Sequence, residues 1–120
     1  MLAIRIVNEQ IPIVILEGKI SENDKNEIEE AINIALQPNK NQLILDLMGV
    51  KSLDSGEAEA IVEATHRTLG RGGRVAFVVS KKDIENALKK ARVFDIPGVL
   101  IFKDRAEAIK YLGERRQGIA

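Results

Sequence analysis

A serine and two carboxylates lie where the sequence predicts the start of a helix, and together they could take part in phosphate chemistry. Asp54 and Glu57 have the D-x-x-E spacing of a helix capping box, and Ser55 lies between them. The first backbone N–H groups of a helix have no partner within it, and they stabilise a surface anion by about 0.3–1 kcal/mol. A phosphate on the serine would therefore be favoured here. The simpler alternative is that Asp54 only caps the helix.

An apolar run precedes this helix start and must position it. Residues 43–47 are four apolar side chains around Asp46, which is typical of a strand covered on both faces. Gly49 then predicts a turn, and Val50 and Leu53 are expected to anchor the next segment in the core. We therefore expect the chain to leave a buried strand, turn, and present the helix start at the surface.

Catalytic chemistry has little support in this sequence. His66 is the single histidine and the chain has no cysteine, so the common histidine–cysteine metal sets and nucleophile pairs cannot be assembled. We expect His66 to be a solvent-exposed helix residue. Asp46 and Asp54 could form an acid–base pair, but hydrogen bonds from loop N–H groups explain Asp46 with fewer assumptions. We therefore expect no enzyme activity, no metal and no cofactor.

Strands and helices alternate along the chain, which predicts a single α/β domain. Two β-type runs, 3–8 and 12–17, are expected to form an N-terminal antiparallel hairpin. Helices of 10 to 15 residues between the later strands imply parallel pairing through right-handed crossovers. The expected fold is a mixed, mostly parallel β-sheet of about five strands with about four helices. Residues 1–113 are expected to form the domain, and residues 114–120 a C-terminal tail.

The helices are predicted from apolar residues that recur at helical spacing. Asp104 is expected to cap the last of them. The predicted inward positions, helix by helix, are Ile28, Ala31, Ile32 and Ala35; Ala58, Ile61, Val62, Thr65 and Leu69; Ile84, Ala87, Leu88 and Ala91; and Ala108, Ile109 and Leu112.

Composition indicates a small cytoplasmic protein. The 120 residues suit one domain, 45% of them are hydrophobic, and the absence of cysteine fits a reducing compartment. Eighteen basic side chains balance eighteen acidic ones, so we expect no global field that attracts nucleic acid. No apolar run is long enough for membrane insertion.

A second candidate for phosphate binding is the run 70–74, in which Arg71 and Arg74 flank two glycines. Its position between a helix and a strand also fits a C-cap turn, and it lacks the Lys-Ser/Thr of a P-loop. In this alternative the chain is a small nucleotide- or phosphate-binding protein, which uses the arginines and the helix end at Ser55.

The order of these features resembles that of the STAS family, which includes the bacterial anti-sigma factor antagonists. The family pattern is a strand ending in Asp, a Gly turn, an apolar residue, and Asp-Ser-Ser/Thr-Gly opening a helix. Residues 45–47, 49–50 and 53–55 match it without a gap, and the resemblance extends over nearly the whole chain. It implies a non-enzymatic protein that binds an anti-sigma factor with serine kinase activity and so releases a sigma factor.

One departure from the family pattern concerns the phosphorylated hydroxyl. That hydroxyl usually lies two residues after the Asp, where this chain has Gly56, and the usual Gly is replaced by Glu57. Ser55 is the nearest hydroxyl, but the fixed charge of Glu57 would repel a phosphate added to it. We therefore expect a protein that stays in its binding form without the usual phosphoswitch.

The resemblance also implies a partner-binding surface at the helix start. We place it on Asp54, Ser55, Gly56 and Glu57 and extend it to small residues of the same helix, Ala60 and Ala64. With the apolar stripe inward, these positions should face solvent together with Glu63, Arg67 and Thr68, and Glu63 should pair with Arg67 at i,i+4. Another possibility keeps the fold and makes the chain a scaffold or accessory subunit of a different signalling or transport complex.

Overall fold

The strands and helices alternate as the sequence predicts. The computed structural model describes residues 2–8, 10–36, 40–53, 55–70 and 73–119, and for Glu22, Ser55, Thr68 and residues 114–119 the backbone alone. The strands are β1 (Leu2–Val7), β2 (Ile13–Lys19), β3 (Gln42–Ser52), β4 (Arg74–Val78) and β5 (Val99–Phe102). The helices are α1 (Lys25–Ala35), α2 (Ser55–Leu69), α3 (Lys82–Lys90) and α4 (Arg105–Ile119). Short 3₁₀ turns precede α1 at Glu22–Asp24 and follow α3 at Val93–Asp95.

The five strands form one mixed sheet in the order β1-β2-β3-β4-β5. β1 and β2 are antiparallel, which confirms the predicted hairpin, and the other neighbouring strands pair in parallel. Parallel strands need crossover connections, and α1, α2 and α3 supply them. The carboxyl ends of β2, β3, β4 and β5 therefore lie at one edge of the sheet, where the helices begin.

Each face of the sheet has its own hydrophobic core. α1, α2 and α3 cover one face, where Leu43, Leu45 and Phe77 are fully buried. α4 covers the other face, where Ala108 and Leu112 pack with the strand residues Ile13, Ile15, Ile44, Ala76 and Val78. β3 is therefore buried on both sides, as its apolar run predicts.

β3 continues past the point where the sequence predicts a turn. Gly49 lies inside the strand and pairs with Glu17 of β2, so the turn predicted there is wrong. A Cβ at Gly49 would lie 2.8 Å from Cγ of Glu17, so the glycine accommodates a neighbouring side chain and not a reversal of the chain. The strand ends at Ser52, and Val50 and Leu53 pack on the core as expected.

The last helix differs from its prediction in extent and in one buried position. Asp104 caps it as expected, since its Oδ1 accepts a 2.8 Å hydrogen bond from the N–H of Glu107. The backbone of the helix runs to Ile119, and the division into a domain of residues 1–113 and a tail of residues 114–120 stays a prediction. Ile109, predicted to face inward, is 42% exposed, because α4 packs on the sheet with no second described helix beside it.

Candidate protein-binding site at the start of the second helix

The predicted helix start is present at the carboxyl edge of the sheet. α2 begins at Ser55, shortly after β3 ends at Ser52. Gly56 is partly exposed, and Glu57 is buried in the first turn, where its negative charge complements the helix dipole. Asp54, the predicted cap, lies outside the described residues, so its capping role stays a prediction.

The buried face of α2 is wider than the sequence predicts. Glu57, Ala60 and Ala64 are only 6%, 5% and 3% exposed, so the expectation that they face solvent is wrong. The helix packs against α1 on one flank and α3 on the other, as well as against the sheet. Small side chains let neighbouring helices approach closely, which explains why alanines fill these positions. The predicted inward stripe at Ala58, Ile61 and Thr65 is confirmed as buried.

The solvent-facing part of α2 is charged and linked to α1. Glu59, Glu63, His66 and Arg67 are exposed, and the prediction for His66 is thus confirmed. The predicted i,i+4 pair between Glu63 and Arg67 is replaced by ion pairs across the two helices. Glu63 pairs with the Lys25 ammonium group, and Arg67 Nη1 lies 3.4 Å from Glu29 Oε2.

The electrostatics of Glu63 reflect this cross-helix arrangement. Its pKa is lowered, first by the hydrogen bond from Lys25, then by the positive charge of Lys25, and to a smaller extent by Arg67. Burial opposes this shift without reversing it. Both ion pairs join the same two helices, and they contact α2 at Glu63 and Arg67, more than two turns after its start.

Asp46 accepts a backbone hydrogen bond, as the sequence predicts, but from an N–H inside β3 and not from a loop, and it has a second partner that the sequence does not predict. Oδ1 accepts a 2.9 Å hydrogen bond from the N–H of Met48, while Oδ2 lies 2.9 Å from both Nε and Nη2 of Arg105. The side chain of Asp46 is 2% exposed, and that of Arg105 is 44% exposed. The sequence contained one indication of this second partner, the carboxylate of Asp46 itself, because a charge inside a buried strand requires a partner.

The second phosphate candidate falls partly outside the described residues, which exclude Arg71 and Gly72. The neighbouring residues have structural roles. A Cβ at Gly73 would lie 2.5 Å from the carbonyl oxygen of Asn41, and the same oxygen accepts a 2.8 Å hydrogen bond from the N–H of Arg74. Gly73 is therefore required by a close backbone approach at the start of β4.

In the part of the chain that the structure describes, no three His, Asp or Glu side chains are grouped closely enough to hold a metal ion. None of the helices described there is both long enough and apolar enough to cross a membrane.

A mixed sheet with an antiparallel first hairpin, three helices on one face and one on the other defines a SpoIIAA-like α/β domain. The chain belongs to the STAS family, because the STAS domain model matches residues 4–108. The family resemblance noted in the sequence is thereby confirmed.

Solved structures support the same fold at low sequence identity. A proposed anti-sigma factor antagonist from Thermotoga maritima is 24% identical, with a TM-score of 0.69 over 92% of this chain and 93% of that one. An anti-sigma factor antagonist from Mycobacterium paratuberculosis is 15% identical, with a TM-score of 0.75 over 92% and 93%. The phosphorylated Bacillus cell fate determinant SpoIIAA is 13% identical, with a TM-score of 0.65 over 93% and 99%. None of the curated protein sequences matches this chain.

Proposed function

We propose that this protein is a non-enzymatic regulator that binds an anti-sigma factor with serine kinase activity through the start of α2. The observation that carries the proposal is the position of this helix start. It lies at the carboxyl edge of a STAS-type sheet and follows a strand buried on both faces. The names of the structurally similar proteins, which are anti-sigma factor antagonists, support the choice of partner class.

The docking surface is drawn from exposed residues near the start of α2. Gly56 is partly exposed in the first turn, and Glu59 and Glu63 are exposed farther along the helix. Asp54 and Ser55 keep their place in the proposed surface on the sequence pattern alone. The buried residues Glu57, Ala60 and Ala64 support this surface from beneath and are not proposed as direct contacts.

We also propose that phosphorylation at this helix start does not switch partner binding off, as it does in the usual family scheme. Gly56 has no hydroxyl at the usual acceptor position, and the first turn already contains the carboxylate of Glu57. A phosphate on Ser55 would add a charge of about −1.5 to −2 close to that carboxylate, and the repulsion would offset the gain from the helix dipole. The protein would therefore remain in its binding form.

A phosphorylation experiment tests the absence of the switch. Each anti-sigma factor kinase of the source organism is purified and incubated with ATP and either the wild-type protein or Gly56→Ser. We expect a kinase that binds both proteins to label the variant strongly and the wild type weakly, because only the variant has the acceptor hydroxyl. Stoichiometric labelling of the wild type at Ser55 would contradict the proposal that the protein remains in its binding form. If the protein binds none of the kinases, the alternative of an accessory subunit in a different complex is favoured.

A charge-reversal experiment tests the position of the surface. Glu59→Arg should weaken binding to that kinase at least tenfold, because it places a bulky cation beside the helix start. The matched control is Glu107→Arg, an equal charge change at an exposed position on α4. Glu59→Arg should retain the unfolding free energy within about 0.5 kcal/mol, since the position is at the surface. Glu107→Arg replaces the acidic residue in the first turn of α4, so it should lose about 0.3–1 kcal/mol and still fold. Equal loss of binding in the two variants would refute docking at α2.

A further inference from the structure

A cavity of about 330 Å³ lies between the β1–β2 hairpin and α4, on the face of the sheet away from α1 and α2. Its described lining is mainly aliphatic, from Val7, Ile11, Ile13 and Ile109, and Arg105 supplies a charged group. The volume is at the lower end of the range for small-molecule sites, and an apolar wall with few polar groups is typical of them. The cavity is separate from the helix start proposed as a protein-binding surface.

Arg105 is held in a fixed direction and still has hydrogen bonds to donate. Its Nε and Nη2 groups both contact Oδ2 of the buried Asp46. This contact occupies the side edge of the guanidinium plane. A guanidinium has five N–H donors, so the end edge, with one N–H from each Nη, is left over. None of the described residues accepts a hydrogen bond from that end edge. It has the geometry that binds a carboxylate through two parallel hydrogen bonds.

A second cation lies near the same cavity. Lys40 Nζ donates a 3.3 Å hydrogen bond to the carbonyl oxygen of Gln10, which is part of the lining. Asp46 balances the charge of Arg105, so the ammonium group of Lys40 leaves one positive charge in excess among these three described groups. Ile109, at 42% exposure, leaves apolar surface that an aliphatic group would cover.

We propose that this cavity binds a small aliphatic carboxylate. The carboxylate pairs with the free end edge of Arg105, and the hydrocarbon part lies against Ile11, Ile13 and Ile109. The buried Asp46 is a positioning residue, because it fixes the direction of the guanidinium. The Asp46–Arg105 pair would thus orient a group for ligand binding, which a pair of apolar side chains could not do.

Calorimetry with hexanoate tests the ligand class on the full-length protein. Hexanoate should bind saturably with a dissociation constant below 10 mM, whereas acetate lacks the chain and 1-hexanol lacks the charge, and each should bind at least tenfold more weakly. Arg105→Lys keeps the charge and removes the planar fork, so it should weaken hexanoate binding at least tenfold. Absence of saturable binding up to 10 mM, or equal binding of 1-hexanol, would overturn the proposal.

Filling the cavity from α4 tests its location without touching the ion pair. Gly113 lines the cavity, and a Cβ built there meets no atom within 4 Å, so Gly113→Leu should fold and abolish hexanoate binding. The matched control is Ala106→Leu, which adds similar bulk at an exposed position of the same helix outside the lining. The control should bind hexanoate like the wild type. Undiminished binding by a folded Gly113→Leu would overturn the proposed site even if Arg105→Lys failed to fold.

Discussion

At the scale of single residues, the feature that most needs compensating interactions is the negative charge buried inside β3. Asp46 is almost fully buried and is satisfied by one backbone N–H and by the Arg105 guanidinium. Taking a carboxylate out of water is costly unless such partners are present. The first residue of α4 is thus tied to the middle of the sheet by one ion pair.

Removing one member of this pair should cost more than removing both. Arg105→Met leaves the buried carboxylate without its cation and should cost about 2–3 kcal/mol, less than for a fully buried pair because water reaches Arg105. Asp46→Leu combined with Arg105→Met should recover most of that loss, since no buried charge remains. Chemical denaturation of the two variants measures the difference. Equal stabilities would mean that the ion pair does not satisfy Asp46 as described.

The sequence predicted the backbone hydrogen bond to Asp46 but not the ion pair, because only the hydrogen bond joins residues that are close in sequence. The bond from the Met48 N–H to Asp46 spans two residues, whereas the bond from Arg105 spans 59. Charged residues at helix starts are common, so Arg105 carried no signal of its own. The residue types showed that Asp46 needed a partner, and only the packing of α4 on β3 identified it.

At the scale of elements, periodicity predicted most of the residues that the helices bury against the sheet, with Ile109 of α4 as an exception, but not those that they bury against neighbouring helices. Helical spacing identified Ala58, Ile61 and Thr65 correctly. It missed Ala60 and Ala64, because the width of the buried face depends on the helices packed at either side, and a helical pattern contains no such information. The order of strands and helices was predictable, since alternation favours parallel pairing.

The ion pairs between α1 and α2 predict a specific dependence of stability on pH. The pKa of Glu63 is lowered in the folded protein, mainly by Lys25, so the unfolded chain binds the proton more readily. The contribution of the pair should be complete above the usual pKa of glutamate, about 4.3, and should disappear as the pH falls through the lowered folded value. The stability difference between wild type and Lys25→Met should therefore shrink in that acidic window.

The matched control for this pH effect is Lys82→Met on α3, where an exposed lysine has no ion pair among the described residues. Its stability difference from the wild type should show no corresponding decrease. Urea denaturation at several pH values between 3 and 7 measures both differences. A Lys25→Met difference that stays constant below pH 4 would rule out the proposed contribution of Glu63.

Two glycines, one inside β3 and one just before β4, should respond very differently to substitution by alanine. At Gly73 the new Cβ would meet the Asn41 carbonyl, which also accepts the Arg74 N–H, so backbone would have to move, at a cost of about 1–3 kcal/mol. At Gly49 the contact is with the flexible, half-exposed side chain of Glu17, which can move, so the cost should stay below about 1 kcal/mol. Thermal and chemical denaturation would show the contrast. A more damaging Gly49→Ala would indicate that β2 and β3 are held more rigidly than this pairing implies.

At the scale of the whole molecule, zero net charge conceals a strong separation of charge. Residues 21–70 contain ten acidic and four basic side chains, and the rest of the chain contains eight acidic and fourteen basic ones. The acidic part includes α1 and α2, and the basic part includes α3, β5 and α4. Exposed carboxylates such as Glu27 and Glu30 lie on α1, whereas exposed lysines such as Lys82 and Lys90 lie on α3. The expectation that balanced charge produces no field therefore neglected how the charges are distributed.

This separation predicts that the protein attracts itself at low ionic strength near neutral pH. Static light scattering should give a negative second virial coefficient at about 10 mM salt, which should rise toward zero near 150 mM as the Debye length falls from about 30 to about 8 Å. The double variant Glu27→Lys with Lys90→Glu keeps the net charge and reduces the separation, so it should be less attractive at low salt. The control, Glu59→Lys with Lys51→Glu, exchanges charges within the acidic part and should behave like the wild type. Identical scattering from all three proteins at low salt would show that the charge separation does not govern their association, because the three differ in charge placement and not in net charge.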